Sequence, residues 1–388
     1  MNLMHQQQGQ NMGSRLNFGL IPFWEGLQKS SGVKRVYPFE LEARRNLQLR
    51  QIVPTAVALE LTAAYSSDEY QFITPPPGAS EWANSLGEGK IRVVQAALGG
   101  YKPSDILEIG GGSTWVASRL RELYGPCSYL IVDPSVRDAA EGVEILRDYF
   151  PATKIEARTF DLVVGFNVLE HVPDPLEFLK SIRKQLTREG RVLLTFPDCE
   201  RQIRAGDLNV FVHEHLSYFT RASVHWLAAN SGFEIDLLNS SNDLFTLLLR
   251  VDDGQKMVNE LDESHLLKRC SEAVEKLMHE TVARIRSVLN QEESVAFHGA
   301  TPGLNTFFHL TGLGHHPGIR VYDGDSSKAG KYLPACERPV ELAGENGYRN
   351  SSLLVVSAMS FYEQISQFAM DIGGYKPECV VPLTGGGI

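Results

Sequence analysis

Glu108-Ile109-Gly110-Gly111-Gly112-Ser113-Thr114-Trp115 is the stretch that decides how this chain folds. It grows out of the apolar run 106–109, and Asp133 closes the next apolar run 23 residues beyond Gly110. A strand that turns on glycines into a helix lets backbone approach a ligand closely, and an acid about twenty residues on can accept both hydroxyls of a ribose. A dinucleotide site wants Gly or Ala at the third fingerprint position, where helix and strand pack together. Trp115 occupies that position, which argues against a nicotinamide dinucleotide.

Working outward, residues 104–249 alternate short apolar runs (129–133, 143–146, 160–166, 191–196, 233–235, 245–250) with helical stretches, one closed by Arg188-Glu189-Gly190. Such alternation predicts strands joined by crossovers into a parallel sheet. Leu267, Cys270, Val274, Leu277, Thr281, Ile285 and Val288 recur every three or four residues, the stripe of a long connecting helix over 257–289. Runs 295–300, 319–323, 353–357 and 379–382 predict a second α/β unit. Residues 14–100, interrupted by Pro54 and Pro75-Pro76-Pro77, read as a small irregular lobe followed by a helix over Glu81–Leu98. The expected domains are 1–79, 80–253 and 254–388.

Hydrophobic residues are 43% and charged ones 22% of the 388, a globular balance, and no apolar run reaches the roughly 18 residues of a membrane span. With 47 acidic against 37 basic residues and no basic cluster longer than Arg44-Arg45, nucleic-acid binding is disfavoured. The Gln- and Asn-rich start has no signal-peptide pattern, so a cytoplasmic location is expected. Five scattered cysteines suggest neither a disulfide framework nor a thiolate zinc site.

Two further motifs carry chemistry. Asn167-Val168-Leu169-Glu170-His171-Val172-Pro173-Asp174-Pro175 puts a polar residue at a strand's carboxyl end, where open α/β sheets bind ligands, and a histidine four residues later. Phe211-Val212-His213-Glu214-His215-Leu216-Ser217-Tyr218-Phe219 sets two imidazoles around a carboxylate, and neutral imidazole can take a proton near neutral pH. On a strand, His213 and His215 would share a face and could also ligate a metal, but no third and fourth ligand is evident, and no metal is expected.

The Glu-x-Gly-x-Gly spacing resembles that of class I methyltransferases, which bind S-adenosylmethionine. That resemblance implies a cofactor site of Glu108, Gly110, Gly112, Asp133 and Asn167, with Asp133 on the ribose and Asp148 and Tyr149 flanking the adenine. From about residue 38 onward the chain is similar to the S-adenosylmethionine-dependent C-methyltransferases of nucleotide-linked keto-sugars. The likeness rests on the His-Glu-His-Leu-Ser-Tyr-Phe and Asn-Val-Leu-x-His-Val-x-Asp-Pro runs, on Gly299-Ala300-Thr301-Pro302-Gly303-Leu304-Asn305-Thr306, and on Lys331-Tyr332-Leu333-Pro334 with its approach.

It implies a Rossmann-like methyltransferase domain, a second Rossmann-like C-terminal domain for the acceptor and a small N-terminal lobe. His215 would be the base that removes a proton beside a ketone, oriented by Glu214, with His171 or Tyr218 donating to the enolate oxygen and Tyr70 facing the substrate. Two departures stand out. The segment matching the family's zinc-binding lobe, residues 41–50, has no cysteine, and Val212 replaces the tyrosine before His-Glu-His. Both touch the acceptor side, so O- or N-methylation of a sugar or related small metabolite, and a non-catalytic binding or scaffold role, remain as alternative readings.

Overall fold

Weak strand signals near the N-terminus become real strands because a distant segment completes their sheet. Strands β1 (Arg15–Pro22), β2 (Val36–Glu42) and β3 (Leu49–Gln51) pair antiparallel in that order, and the two-residue strand Ser217–Tyr218 joins them as the fourth, Leu49 opposite Tyr218. The computed structural model describes residues 15–66, 77, 81–254, 260–344, 348 and 351–386. Tyr70 lies outside the described residues.

The central sheet contains β4 (Asp105–Ile109), β5 (Ser128–Val132), β6 (Val143–Leu146), β7 (Phe160–Phe166), β8 (Leu186–Pro197), and, after Ser217–Tyr218 (β9), β10 (Phe233–Ser241) and β11 (Leu244–Val251). Their order is β10-β11-β8-β7-β4-β5-β6. Ile106, Leu107, Leu162, Val163, Val164, Leu193 and Leu194 are fully buried, the unbroken apolar pattern of strands covered on both faces. The sheet departs from the all-parallel expectation at one strand: β11 runs antiparallel to β8 and β10, as a tight hairpin requires. The residues read as closing a helix, Arg188-Glu189-Gly190, lie inside β8 instead. There the pairing with β7 slips from Phe160↔Leu186 to Leu162↔Arg191, so they form a bulge.

The connecting helix is shorter than its stripe suggested and is interrupted. Ser264–Lys276 passes through a wide π turn, Leu277–Thr281, into Val282–Leu289. The C-terminal sheet, β12 (Val295–His298), β13 (Ile319–Asp323), β14 (Val340–Leu342), β15 (Leu353–Val356) and β16 (Val380–Pro382), is wholly parallel in the order β14-β13-β12-β15-β16. This is doubly wound topology, with its switch point between β12 and β15.

One core ties the ends of the chain together. Phe18, Phe39 and Leu41 of the lobe, Leu267, Cys270 and Val274 of the connecting helix, and Leu304, Phe307 and Phe308 of the C-terminal unit belong to a single buried cluster. The seam is also polar. Asn209 donates to the Ser357 carbonyl at 2.7 Å and accepts from Gly303 N–H at 3.1 Å, where the Pro302–Thr311 helix begins. Asn209 thus sits at the very switch point where a free doubly wound sheet would receive a ligand.

Gly303 is required for this approach, since a Cβ there would lie 2.5 Å from the Asn209 backbone nitrogen. Backbone cannot swing aside as a side chain can. Gly303→Ala is expected to cost about 1–3 kcal/mol of stability in denaturant unfolding.

Candidate active site

The carboxyl ends of β4, β5 and β7 converge on one edge of the central sheet, and the site is built there. Gly110 and Gly112 adopt φ of +72° and +68°, backbone that side-chain-bearing residues rarely take. A Cβ on Gly110 would also come within 3.0 Å of Val168. Asp133, buried at the end of β5, accepts the Gly112 N–H at 3.0 Å on one oxygen. Its other oxygen accepts from the Ser135 N–H and hydroxyl and from Val136 N–H. Asp133 therefore holds two loops together, and its first oxygen keeps accepting capacity. Asp138, which the motif gave no reason to single out, fixes the start of the next helix by accepting from Thr114 N–H (2.9 Å) and Oγ1 (2.6 Å).

Glu108 lies wholly inside, accepting from the Tyr129 hydroxyl at 2.8 Å while its Oε1 has no partner. Burial pushes its carboxyl up to about 7, although Tyr129 and Lys90 pull the other way. Asn167 ends β7 in the left-handed region, φ 56°, a conformation asparagine tolerates better than most residues. Its side chain donates to Glu170 Oε1 at 3.3 Å, so it serves the neighbouring cluster. Asp148 bonds the next backbone N–H, and Tyr149 is about half exposed at 48%.

The histidines separate. Residues 213–214 form a turn, closed by His215 N–H donating to the Val212 carbonyl at 3.0 Å, so the alternation of a strand does not apply. His213 points into the lobe, its ring 5.7, 6.0 and 5.4 Å from Phe23, Tyr37 and Phe39. A shared face with His215, and with it a His213-x-His215 metal pair, is excluded.

His215 instead meets His171 edge-on at 5.3 Å. The Nδ1 of His171 lies 2.8 Å from the Glu214 carbonyl and 3.2 Å from the Tyr65 hydroxyl. A carbonyl only accepts, so Nδ1 carries the proton and Nε2 is a lone pair. That lone pair faces Glu170 Oε1 at 3.8 Å. Burial lowers the pKa of His171, opposed by the charge and carbonyl of Glu214. A neutral His171 in this tautomer has no N–H left for an enolate. Tyr218, the other candidate donor, is fully buried in the core shared by the lobe and the C-terminal unit.

Glu170 is the residue the motif reading passed over. It is 1% exposed, its Oε2 lacks a partner, and burial raises its carboxyl to about 8 against the pull of its own backbone, Asn167 and Lys90. Glu170, His171 and His215 each bring one ligating atom within 4.8 Å of the others. His215 Nδ1 has no partner, and burial, with His171 repelling, holds its pKa down to about 3 despite the Val210 carbonyl. The cluster therefore presents a neutral base beside a neutral acid. Two imidazoles and a carboxylate could also hold a divalent cation. A separate cavity of about 310 Å³, lined by Val33, His309 and Cys336 among others, contains none of these residues.

A family model described as "Methyltransferase domain" matches residues 85–238, the span of the glycine turn and the histidine cluster. The chain carries a methyltransferase domain. S-adenosylmethionine is the cofactor of that domain, and the glycine turn with its unpartnered buried Glu108 oxygen and its acid Asp133 is consistent with holding it.

The tRNA U34 carboxymethyltransferase of Psychrobacter arcticus is 27% identical over 167 residues, 38% of this chain and 45% of that protein. C-methyltransferase NovU of Streptomyces niveus is 22% identical over 195 residues, 46% of each. The chain thus spans about half the length of the curated relatives it matches. Human N-acetylserotonin methyltransferase in complex with SAM superposes with a TM-score of 0.39 at 20% identity, covering 50% of this chain and 59% of that one. No helix among the described residues is long and apolar enough to cross a membrane.

Proposed function

We propose that the chain is an S-adenosylmethionine-dependent C-methyltransferase acting beside the carbonyl of a nucleotide-linked keto-sugar, with His215 as the base. The observation that carries the reading is the pairing of a partly buried, neutral imidazole, His215, whose Nδ1 has no partner, with a buried, neutral carboxyl, Glu170, whose Oε2 has none, their ligating atoms within 4.8 Å. Carbon becomes nucleophilic when a base takes the proton next to a ketone while an acid stabilises the oxygen, and His215 and Glu170 supply these two groups side by side.

Burial disfavours the imidazolium in the free protein. The developing enolate would provide the missing negative charge when the proton moves to Nδ1. Glu214 and Tyr65 hold His171, which in turn flanks His215. In this reading Glu214 positions His215 through His171, which its carbonyl holds.

The cofactor, when bound, supplies an electrophilic methyl group on a sulfonium sulfur. Gly110 and Gly112 leave room for its amino-acid portion, Asp133 offers its less occupied oxygen to the ribose, and Asp148 and Tyr149 flank the adenine. In this reading the C-terminal unit meets the acceptor's nucleotide side away from its own switch point, which Asn209 occupies.

Mass spectrometry of nucleotide-linked keto-sugars incubated in D₂O tests the reading. Exchange of one carbon-bound hydrogen without cofactor, and a carbon-methylated product with it, are expected. Methyl transfer to oxygen with no exchange replaces it with an O-methyltransferase, and failure to bind millimolar cofactor in calorimetry replaces it with a scaffold. Activity that disappears with chelation and returns with a divalent cation assigns Glu170, His171 and His215 to a metal.

A further inference from the structure

A partly buried cation without an ion-pair partner lies beside the cofactor turn. Lys90, on the Glu81–Leu98 helix, holds its Nζ 5.3 Å from the centre of the Phe166 ring at the end of β7. Gly87 stands one turn earlier on the same helix face, and a Cβ there would come 2.8 Å from the ring of Trp115, the first residue of the helix that follows the glycine turn. The Lys90 face of the helix therefore covers that turn. Among the described residues no carboxylate forms an ion pair with Lys90 and no acceptor hydrogen-bonds it. Glu108 and Glu170 attract it only at longer range, and burial lowers its pKa in spite of them. Both carboxyls are themselves held toward their neutral forms by burial.

An ammonium taken from water without compensation is costly, and an anionic ligand relieves that cost. The amino-acid end of S-adenosylmethionine carries one carboxylate and one ammonium, and the pocket carries one ammonium that has the Phe166 ring but no ion-pair partner and, on Glu108, one unpartnered carboxyl oxygen. The ligand's carboxylate matches the Lys90 ammonium in charge, and its ammonium can donate to the free oxygen of Glu108.

We infer that Lys90 is the anchor for the carboxylate of the cofactor's amino-acid end, and that it makes the site selective for ligands that keep this carboxylate. The inference rests on the cofactor occupying the glycine turn. It assigns Lys90 to binding and to selectivity, with no part in proton transfer.

Calorimetry with S-adenosylhomocysteine and with its decarboxylated counterpart tests it without any acceptor. The wild-type protein is expected to bind the carboxylate-bearing ligand about 30-fold or more tighter, the range for breaking a buried charge pair. Lys90→Met should weaken S-adenosylhomocysteine by that factor and leave the decarboxylated ligand within a few-fold, so that discrimination collapses, whereas Lys90→Arg should retain most of it. Equal losses for both ligands in Lys90→Met, or unchanged S-adenosylhomocysteine affinity, overturn the assignment. A wild-type protein that binds neither ligand overturns the cofactor reading instead, which separates the two failures.

Discussion

His215→Ala is expected to lower kcat for methyl transfer about 10³-fold, within the 10²–10⁴ that a positioned base contributes, while leaving S-adenosylhomocysteine affinity within a factor of two. In the proposed reading His215 serves the acceptor, and among the described residues no hydrogen bond or ring contact joins it to Gly110, Gly112 or Asp133, so cofactor binding should survive its removal. Exchange of the acceptor's carbon-bound hydrogen in D₂O should fall in parallel with kcat, because one proton transfer underlies both. His215→Gln, closer in volume, controls for the cavity left by alanine. Wild-type turnover in both variants removes the histidine from the reaction.

The pH profile carries a second expectation for the same residue. Because burial holds His215 at a pKa of about 3, it is already the free base throughout the working range. No acid limb should appear near the ordinary histidine value of about 6.5. An ordinary limb there would mean that solvent reaches the ring in the working enzyme, or that another histidine is the base.

How much of this was legible beforehand depended on whether the determining contacts were local. The runs 106–109, 160–166 and 319–323 became strands at or within a residue of those limits, because strands largely buried on both faces must be mostly apolar whatever lies beside them. Helix Glu81–Leu98 likewise follows from its own periodicity. The lobe was illegible for the opposite reason. Arg15–Pro22 alternates imperfectly, and its sheet is closed by Ser217–Tyr218, some two hundred residues away in the chain, as the pairing of Leu49 with Tyr218 shows. No local pattern encodes that partner.

The site divides along the same line. Gly110, Gly112 and Asp133 form a motif because backbone geometry demands those residue types at those places. His213 and His215 are identical in type and two residues apart, yet a tight turn sends one into an aromatic cluster of the lobe and the other against His171. Glu170 looked like filler between Leu169 and His171. Only its burial reveals it, since a carboxyl with an unpartnered oxygen and 1% exposure is chemically different from one in water. The sequence signal that could have found it is its place in the loop just after the strand that ends at Phe166, directly before a histidine.

Replacing Glu170 should therefore have consequences for both rate and pH dependence. As a neutral acid it can donate to the enolate oxygen, and Glu170→Ala is expected to lower kcat about 10²–10³-fold, the usual loss for one such donor. Glu170→Gln keeps an N–H donor and should remain within about tenfold of wild type at pH 7, since donors of similar reach substitute in part. The wild-type rate should fall as pH rises through about 8, where Glu170 ionises, loses its proton and sets a negative charge against the enolate. Glu170→Gln cannot ionise, so its profile should stay flat there.

Stability gives an independent readout with a fixed sign. The folded-state pKa is raised above the ordinary value, so between about 4.5 and about 8 the unfolded chain has lost the proton and the folded protein has kept it. The contribution of Glu170 to folding is full below that window and is lost as pH rises through it. Thermal unfolding of Glu170→Gln should accordingly depend less on pH than the wild type across the same window. A Gln variant that retains both the alkaline fall in rate and the full pH dependence of unfolding would show that Glu170 is ionised at neutral pH, and the enolate would then need another donor.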